Sequence, residues 1–137
     1  MENYEISDIV FKLYLYADAT KMIHYTTDSN HAHELCDIIR DTITEFADEL
    51  AEQSFGYYGK PEYTSMTKLS ELSIKETSDL GELCKNATEI VDILKKEFSK
   101  DEALSGLVSL IDDYKGDMSK NMFLCSFDKV SNYKIKD

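Results

Sequence analysis

Apolar residues recur every three to four positions along most of the chain, which is the period of an amphipathic helix. The pattern predicts four long helices, over Ile6 to His24, Asn30 to Phe55, Ser73 to Phe98, and from Ser99 to about Phe127. Ser99 and Glu102 have the spacing of a capping box, which marks the start of the fourth helix. Gly56 is expected to end the second helix. No segment has the alternating pattern of a strand, so we predict an all-α fold.

Each predicted helix has one apolar face, and we assign these four faces to a common core. The predicted core positions are Ile6, Val10, Leu13 and Ala17; Leu35, Ile39, Ile43, Phe46 and Leu50; Leu80, Leu83, Cys84, Ala87, Ile90, Val91, Leu94 and Phe98; and Leu104, Leu107, Val108, Ile111 and Met118.

The lengths of the connections predict the topology. Short connections join helices one and two, and helices three and four, so each pair is expected to form an antiparallel hairpin. About 17 residues separate helices two and three, and at ~3.3 Å per residue they can run the length of a ~38 Å helix. Residues 65–72 could form a short helix within this crossover. We predict a ferritin-like four-helix bundle over residues 1–127, followed by a polar tail over residues 128–137.

Charge and cysteine content restrict the class of protein. The 27 Asp and Glu residues outnumber the 15 Lys and Arg residues, giving a net charge of -12, which argues against nucleic-acid binding through a basic surface. Cys36, Cys84 and Cys125 are odd in number and fall in apolar helical patterns, so we expect buried, reduced thiols. The acidic start MENYEISD lacks the apolar region of a signal peptide, and no stretch approaches the ~20 apolar residues of a membrane span. We expect a cytoplasmic protein.

A histidine and three carboxylates form a line along the second predicted helix. His33, Asp37, Asp48 and Glu52 are spaced by four, eleven and four residues. At ~100° per residue they lie on the side away from the apolar face. The simplest interpretation is a solvated helix surface. The other is a metal site, and because the two pairs are centred ~22 Å apart along the axis, one helix cannot bring both to one ion. Two copies packed antiparallel about a two-fold axis could do so, with Asp37 near the second copy's Asp48 and His33 near its Glu52.

The segment from Lys21 to Pro61 resembles the Dps miniferritins in these residues. His33, Asp37, Asp48 and Glu52 have the spacing of the family's second-helix ligands, and His24 stands where its first-helix histidine is expected. The pattern H-Y-T-T…H…D…E…G-Y-Y-G is still more similar to small ferritin-like proteins encoded by tailed phages. The chain departs from Dps in three ways: His24 and His33 are nine rather than twelve residues apart, Tyr25 replaces the usual tryptophan, and no lysine-rich N-terminal extension is present.

The resemblance implies a function. His24, His33 and Asp37 of one subunit, with Asp48 and Glu52 of its two-fold mate, would bind iron and oxidise Fe(II) with peroxide or oxygen. Imidazole and carboxylate suit iron and would also accept zinc. The implied partner is a second copy of the chain, in a homodimer or a larger homo-oligomer, in a host cytoplasm or, for a phage protein, a virion.

Other interpretations remain open from the sequence. A second hypothesis is a non-enzymatic helical-bundle protein, such as a phage accessory or virion component, whose polar residues stabilise a dimer. His24 continues an apolar face and could be a packed core residue, while His31 is predicted to be a cap or loop residue. The Glu-x-x-His pair of a di-iron site within one bundle is missing. A Cys/His hydrolase is disfavoured because Cys36 is predicted to face the core.

Overall fold

The computed structural model describes the backbone of residues 3–136 and the side chains of residues 5–127. In this part of the chain all regular secondary structure is helical, with no strand. Its elements are α1 (Asn3–Thr26), α2 (Asn30–Tyr58), α3 (Met66–Leu69), α4 (Leu80–Glu89), α5 (Asp92–Phe98), a 3₁₀ turn (Glu102–Leu104) and α6 (Ser105–Lys136). The all-α prediction is therefore confirmed. The fourth helix is predicted to end near Phe127, and that end is wrong because α6 continues to Lys136. The side chains of residues 128–137 lie outside those described, and the division of the chain into a bundle and a tail stays a prediction.

The hairpin of α1 and α2 is closed by a three-residue connection. Ser29 is the N-cap of α2, and its hydroxyl accepts a hydrogen bond from the Ala32 N–H at 3.1 Å, which satisfies one of the free donors of the first turn. At the other end, the prediction that Gly56 stops α2 is wrong. The helix continues to Tyr58, and Gly59, at φ 101°, is the residue that leaves it. Glycine is needed at that position because side chains disfavour positive φ.

The crossover runs from Gly59 to Asp79 and contains α3, within the segment predicted to be helical. The hydroxyl of Tyr16 on α1 accepts a hydrogen bond from the Lys75 N–H at 3.2 Å. This contact attaches the end of the crossover to the hairpin.

The third predicted helix is shorter than expected and is interrupted. It begins at Leu80 rather than Ser73, because the Asp79 side chain accepts from the Glu82 N–H and caps α4. Between α4 and α5 the helix breaks at residues 90–91. There the buried hydroxyl of Tyr114 on α6 donates to the Ala87 carbonyl at 2.8 Å, giving that oxygen a partner beside the interruption.

The predicted capping box is also wrong. The Ser99 hydroxyl donates back to the Lys95 carbonyl at 2.6 Å, so Ser99 ends α5 instead of starting the next helix. The cap is Asp101, which accepts from the Ala103 N–H at 2.9 Å and starts the 3₁₀ turn leading into α6.

The long helices share one core. α1 packs mainly on α2, α2 also packs on α6, and α6 packs on α4 and α5, while α4 contacts α1. Every predicted core position is buried except Ile90 and Val108, which are half-buried. Cys36, Cys84 and Cys125 are buried, as predicted, and none of the three is in a disulfide bond. No helix in the described part of the chain is long and apolar enough to cross a membrane.

Candidate metal centre

A pair of stacked histidines joins the end of α1 to the start of α2. The imidazole rings of His24 and His33 lie with centroids 3.7 Å apart and planes inclined by 18°. Their hydrogen bonds are reciprocal: His24 Nδ1 lies 2.7 Å from the His33 carbonyl oxygen, and His33 Nδ1 lies 2.7 Å from the His24 carbonyl oxygen. Because a carbonyl only accepts, each Nδ1 must carry the hydrogen. In the neutral rings both Nε2 atoms therefore hold a lone pair.

This tautomer is compatible with metal binding through Nε2. Ligand histidines generally donate one ring N–H to a carbonyl or carboxylate, which fixes the ring and leaves the other nitrogen for the metal. His33 is exposed and His24 is half-buried. His24 is not a packed core residue, because its ring is half-buried and stacks on the exposed His33 at the hairpin surface.

Asp37 lies one turn beyond His33 and is paired within the chain. Its Oδ1 accepts a hydrogen bond from Lys21 Nζ at 2.9 Å. The Lys21 hydrogen bond lowers the pKa of the Asp37 carboxyl, and the charge of Lys21 and proximity to His24 lower it further. The same ammonium lies 5.7 Å from the ring centroid of Tyr25. His24, His33 and Asp37 are thus brought to one surface of the hairpin.

Asp48 and Glu52 lie further along the same helix, both exposed. The neighbouring side chain on α1 is Tyr14, whose pKa is raised by burial first and then by the charges of Asp48 and Glu52. The geometry of α2 separates this pair from His33 and Asp37 by about 22 Å between centres. Within the described residues no group of three or more His, Cys, Asp or Glu side chains could hold a metal alone. A complete donor set needs a second chain, and the shared site stays a prediction.

Sequence reasoning missed Lys21 and Tyr14. Both follow from antiparallel pairing, because contacts between α1 and α2 keep a nearly constant sum of residue numbers: His24 meets His33, and Lys21 meets Asp37. The same sum places Tyr14 opposite residues 43–44, about one turn before Asp48, where the charges of Asp48 and Glu52 still act on its hydroxyl. The spacing of the ligands alone gave no reason to examine α1 beyond its histidine.

The remaining histidine and the nearest thiol have other roles. His31 lies in the first turn of α2, and its Nε2 lies 2.8 Å from the Leu124 carbonyl of α6. It joins two helices and is not the cap or loop residue predicted. Cys36 is fully buried, and burial raises the pKa of its thiol to about 11. A thiol of that kind is a poor nucleophile, since the thiolate is the reactive form.

Comparison with known proteins identifies no relative. No protein-family model matches the chain, and searches of curated proteins and of solved structures find no match either.

Proposed function

We propose that this chain is a Dps-like iron-binding protein with a ferritin-like bundle, whose metal sites are shared between two copies and oxidise Fe(II). The observation that carries the proposal is the reciprocal hydrogen bonding of His24 and His33, which selects the tautomer with both Nε2 lone pairs available.

The packing of the helices supports the bundle. α1 and α2 form one antiparallel hairpin, and the antiparallel contacts of α4 and α5 with α6 form a second. The crossover between them runs from Gly59 to Asp79. Two hairpins joined by one long crossover are the ferritin-like connection.

The donor set supports iron as the substrate. His24, His33 and Asp37 of one chain offer two imidazole nitrogens and one carboxylate, and Asp48 and Glu52 of a second copy add two carboxylates. Mixed nitrogen and oxygen donors suit Fe(II), and the carboxylates favour the more highly charged Fe(III) product. In the reaction with peroxide, two Fe(II) ions each lose one electron. Peroxide accepts those two electrons together with two protons. Its O–O bond breaks, and two water molecules form.

A non-enzymatic bundle is the second candidate, and one observation favours it. The reciprocal histidine bonds and the Lys21–Asp37 ion pair already hold α1 to α2. The same side chains could therefore serve only to fix the hairpin, with the exposed surface of α2 binding another protein.

Complementation between two variants separates these candidates. His33→Ala damages the histidine half of the site and Asp48→Ala the carboxylate half, while Glu45→Ala is a control on the same exposed surface of α2. Anaerobic Fe(II) binding followed by peroxide addition is measured for each variant and for an equimolar mixture of the first two, refolded together.

A shared site gives a specific result. Each single variant loses binding and oxidation, the control keeps both, and the mixture regains about a quarter of the wild-type sites. Half of random dimers are mixed, and each mixed dimer has one intact site of two. If the mixture recovers no Fe(II) binding or oxidation, the two halves of the site belong to one chain. No binding by folded wild-type protein would favour the interaction protein.

A further inference from the structure

The Lys21 ammonium occupies the carboxylate that the proposed site would use. Lys21 Nζ lies 2.9 Å from Asp37 Oδ1, with 36% of the lysine side chain and 52% of the aspartate side chain exposed. Lys21 and His24 are three residues apart on α1, so they project from adjacent turns towards the same part of α2. The ammonium therefore competes with any cation for the Asp37 carboxylate, one of whose oxygens it already hydrogen-bonds.

We propose that Lys21 is an internal counter-ion of the metal centre, which holds Asp37 in the metal-free protein and must leave before that carboxylate can ligate a divalent cation. The inference rests on the proposed function, because it takes Asp37 as a ligand. It assigns to Lys21, which is not a ligand, a role in setting metal affinity.

The charges explain why the exchange would be selective. An ammonium ion carries one charge and can only donate hydrogen bonds to a carboxylate, whereas a divalent cation carries two charges and gains the two imidazole nitrogens as well. A monovalent ion offers no such gain and competes poorly with a tethered lysine. Exposed ion pairs of this kind change equilibrium constants by about two- to fivefold, so the lysine would moderate binding without preventing it.

The test measures Zn(II) affinity, since zinc is redox-silent and suits the same donors. Zn(II) is titrated in competition with a chromophoric chelator into the wild type, Lys21→Met, Asp37→Asn and the double variant. Lys12→Met is the matched control: it removes the same charge from α1, but nine residues away, on the opposite side of the helix. Circular dichroism verifies that each variant is helical.

The expected result is a Zn(II) dissociation constant about two- to fivefold lower for Lys21→Met and unchanged for Lys12→Met. In the Asp37→Asn background the Lys21 substitution should have no further effect, because the carboxylate it protects is absent. The counter-ion role is overturned if Lys21→Met binds Zn(II) no more tightly than the wild type, or if the substitution gives the same gain with Asp37 and with Asn at position 37. In either case, Zn(II) binding by the wild type leaves the proposed function standing. If neither wild type nor Lys21→Met binds Zn(II), both proposals fail together.

Discussion

Dimerisation through α2 should depend on metal, because the exposed surface of this helix is strongly acidic. α2 contains seven Asp and Glu residues and a single Arg, and all seven carboxylates are exposed. They are Glu34, Asp37, Asp41, Glu45, Asp48, Glu49 and Glu52. The one exposed aliphatic side chain beside them is Ile38. The cores of stable interfaces are depleted of charged residues and are more apolar than this surface. Two copies paired antiparallel through α2 therefore repel one another unless cations lie between them.

The repulsion and the gain from metal can both be estimated. Two unit charges ~10 Å apart in water interact by about 0.4 kcal/mol. About four uncompensated carboxylate pairs across the two-fold axis then weaken the metal-free dimer roughly 15-fold at low salt. A metal ion at one hundred times its dissociation constant contributes about 2.7 kcal/mol for each site that exists only in the dimer. With two sites, metal should strengthen the dimer on the order of ten-thousand-fold.

Sedimentation velocity at low ionic strength measures this directly, with EDTA or Zn(II) present. The expected result is a monomer in EDTA and a dimer in Zn(II), with His33→Ala remaining monomeric in both. Glu45→Ala should still form the dimer in Zn(II), slightly more tightly than the wild type, because each chain loses one repelling carboxylate. In EDTA, added salt should strengthen any residual dimer by screening the carboxylates. An equally strong dimer in EDTA and Zn(II), or bound metal without a dimer, would refute the shared site.

Three further predictions concern the fold and its thiols. Tyr114→Phe should lower the free energy of unfolding by about 1–2 kcal/mol, since the Ala87 carbonyl loses a buried partner, and urea denaturation measures the change; no loss would mean that water replaces the hydroxyl. Gly59→Ala should destabilise the protein by about 1 kcal/mol or more, because residue 59 has a positive φ. Gly56→Ala should stabilise the protein by about 0.5–1 kcal/mol, because it lies in an open helical position. Thermal melts showing the reverse order would contradict the assignment of Gly59 as the C-cap. Burial raises the pKa of the Cys84 thiol to about 12, so alkylation by iodoacetamide at pH 8 should be at least 100-fold slower in native than in urea-unfolded protein, and fast native labelling would show that this part of the core opens.

The apolar pattern predicted the all-α class and most of the buried residues but placed several helix ends wrongly. The apolar period reflects which residues are buried, and many residues along each helix contribute to that pattern. Helix ends depend instead on individual hydrogen bonds. Asp79 and Asp101 are caps because their carboxylates meet backbone N–H groups two or three residues on, and Ser99 looked equally suitable in sequence. The interruption after α4 is harder to predict, because the hydroxyl that bonds the Ala87 carbonyl there belongs to Tyr114, 27 residues further along the chain.

The candidate site was predictable in its residue types and spacing but not in its internal contacts. The spacing of His33, Asp37, Asp48 and Glu52 describes one face of one helix. The Lys21 ion pair and the reciprocal histidine bonds depend on the register between two helices, which the short connection at residues 27–29 fixes. Once that register is known, the tautomer of each ring follows from the carbonyl it faces.

The same register explains why half a site on each chain is a coherent arrangement. α1 covers the side of α2 that carries His33 and Asp37, and through Tyr14 it reaches the Asp48 end as well, yet all three carboxylates on that line stay exposed. In the proposed dimer, a second antiparallel copy would supply to each histidine pair the carboxylates that its own helix holds too far away. The charge that opposes this pairing is the charge that a bound cation would offset, so metal binding and assembly would form one equilibrium.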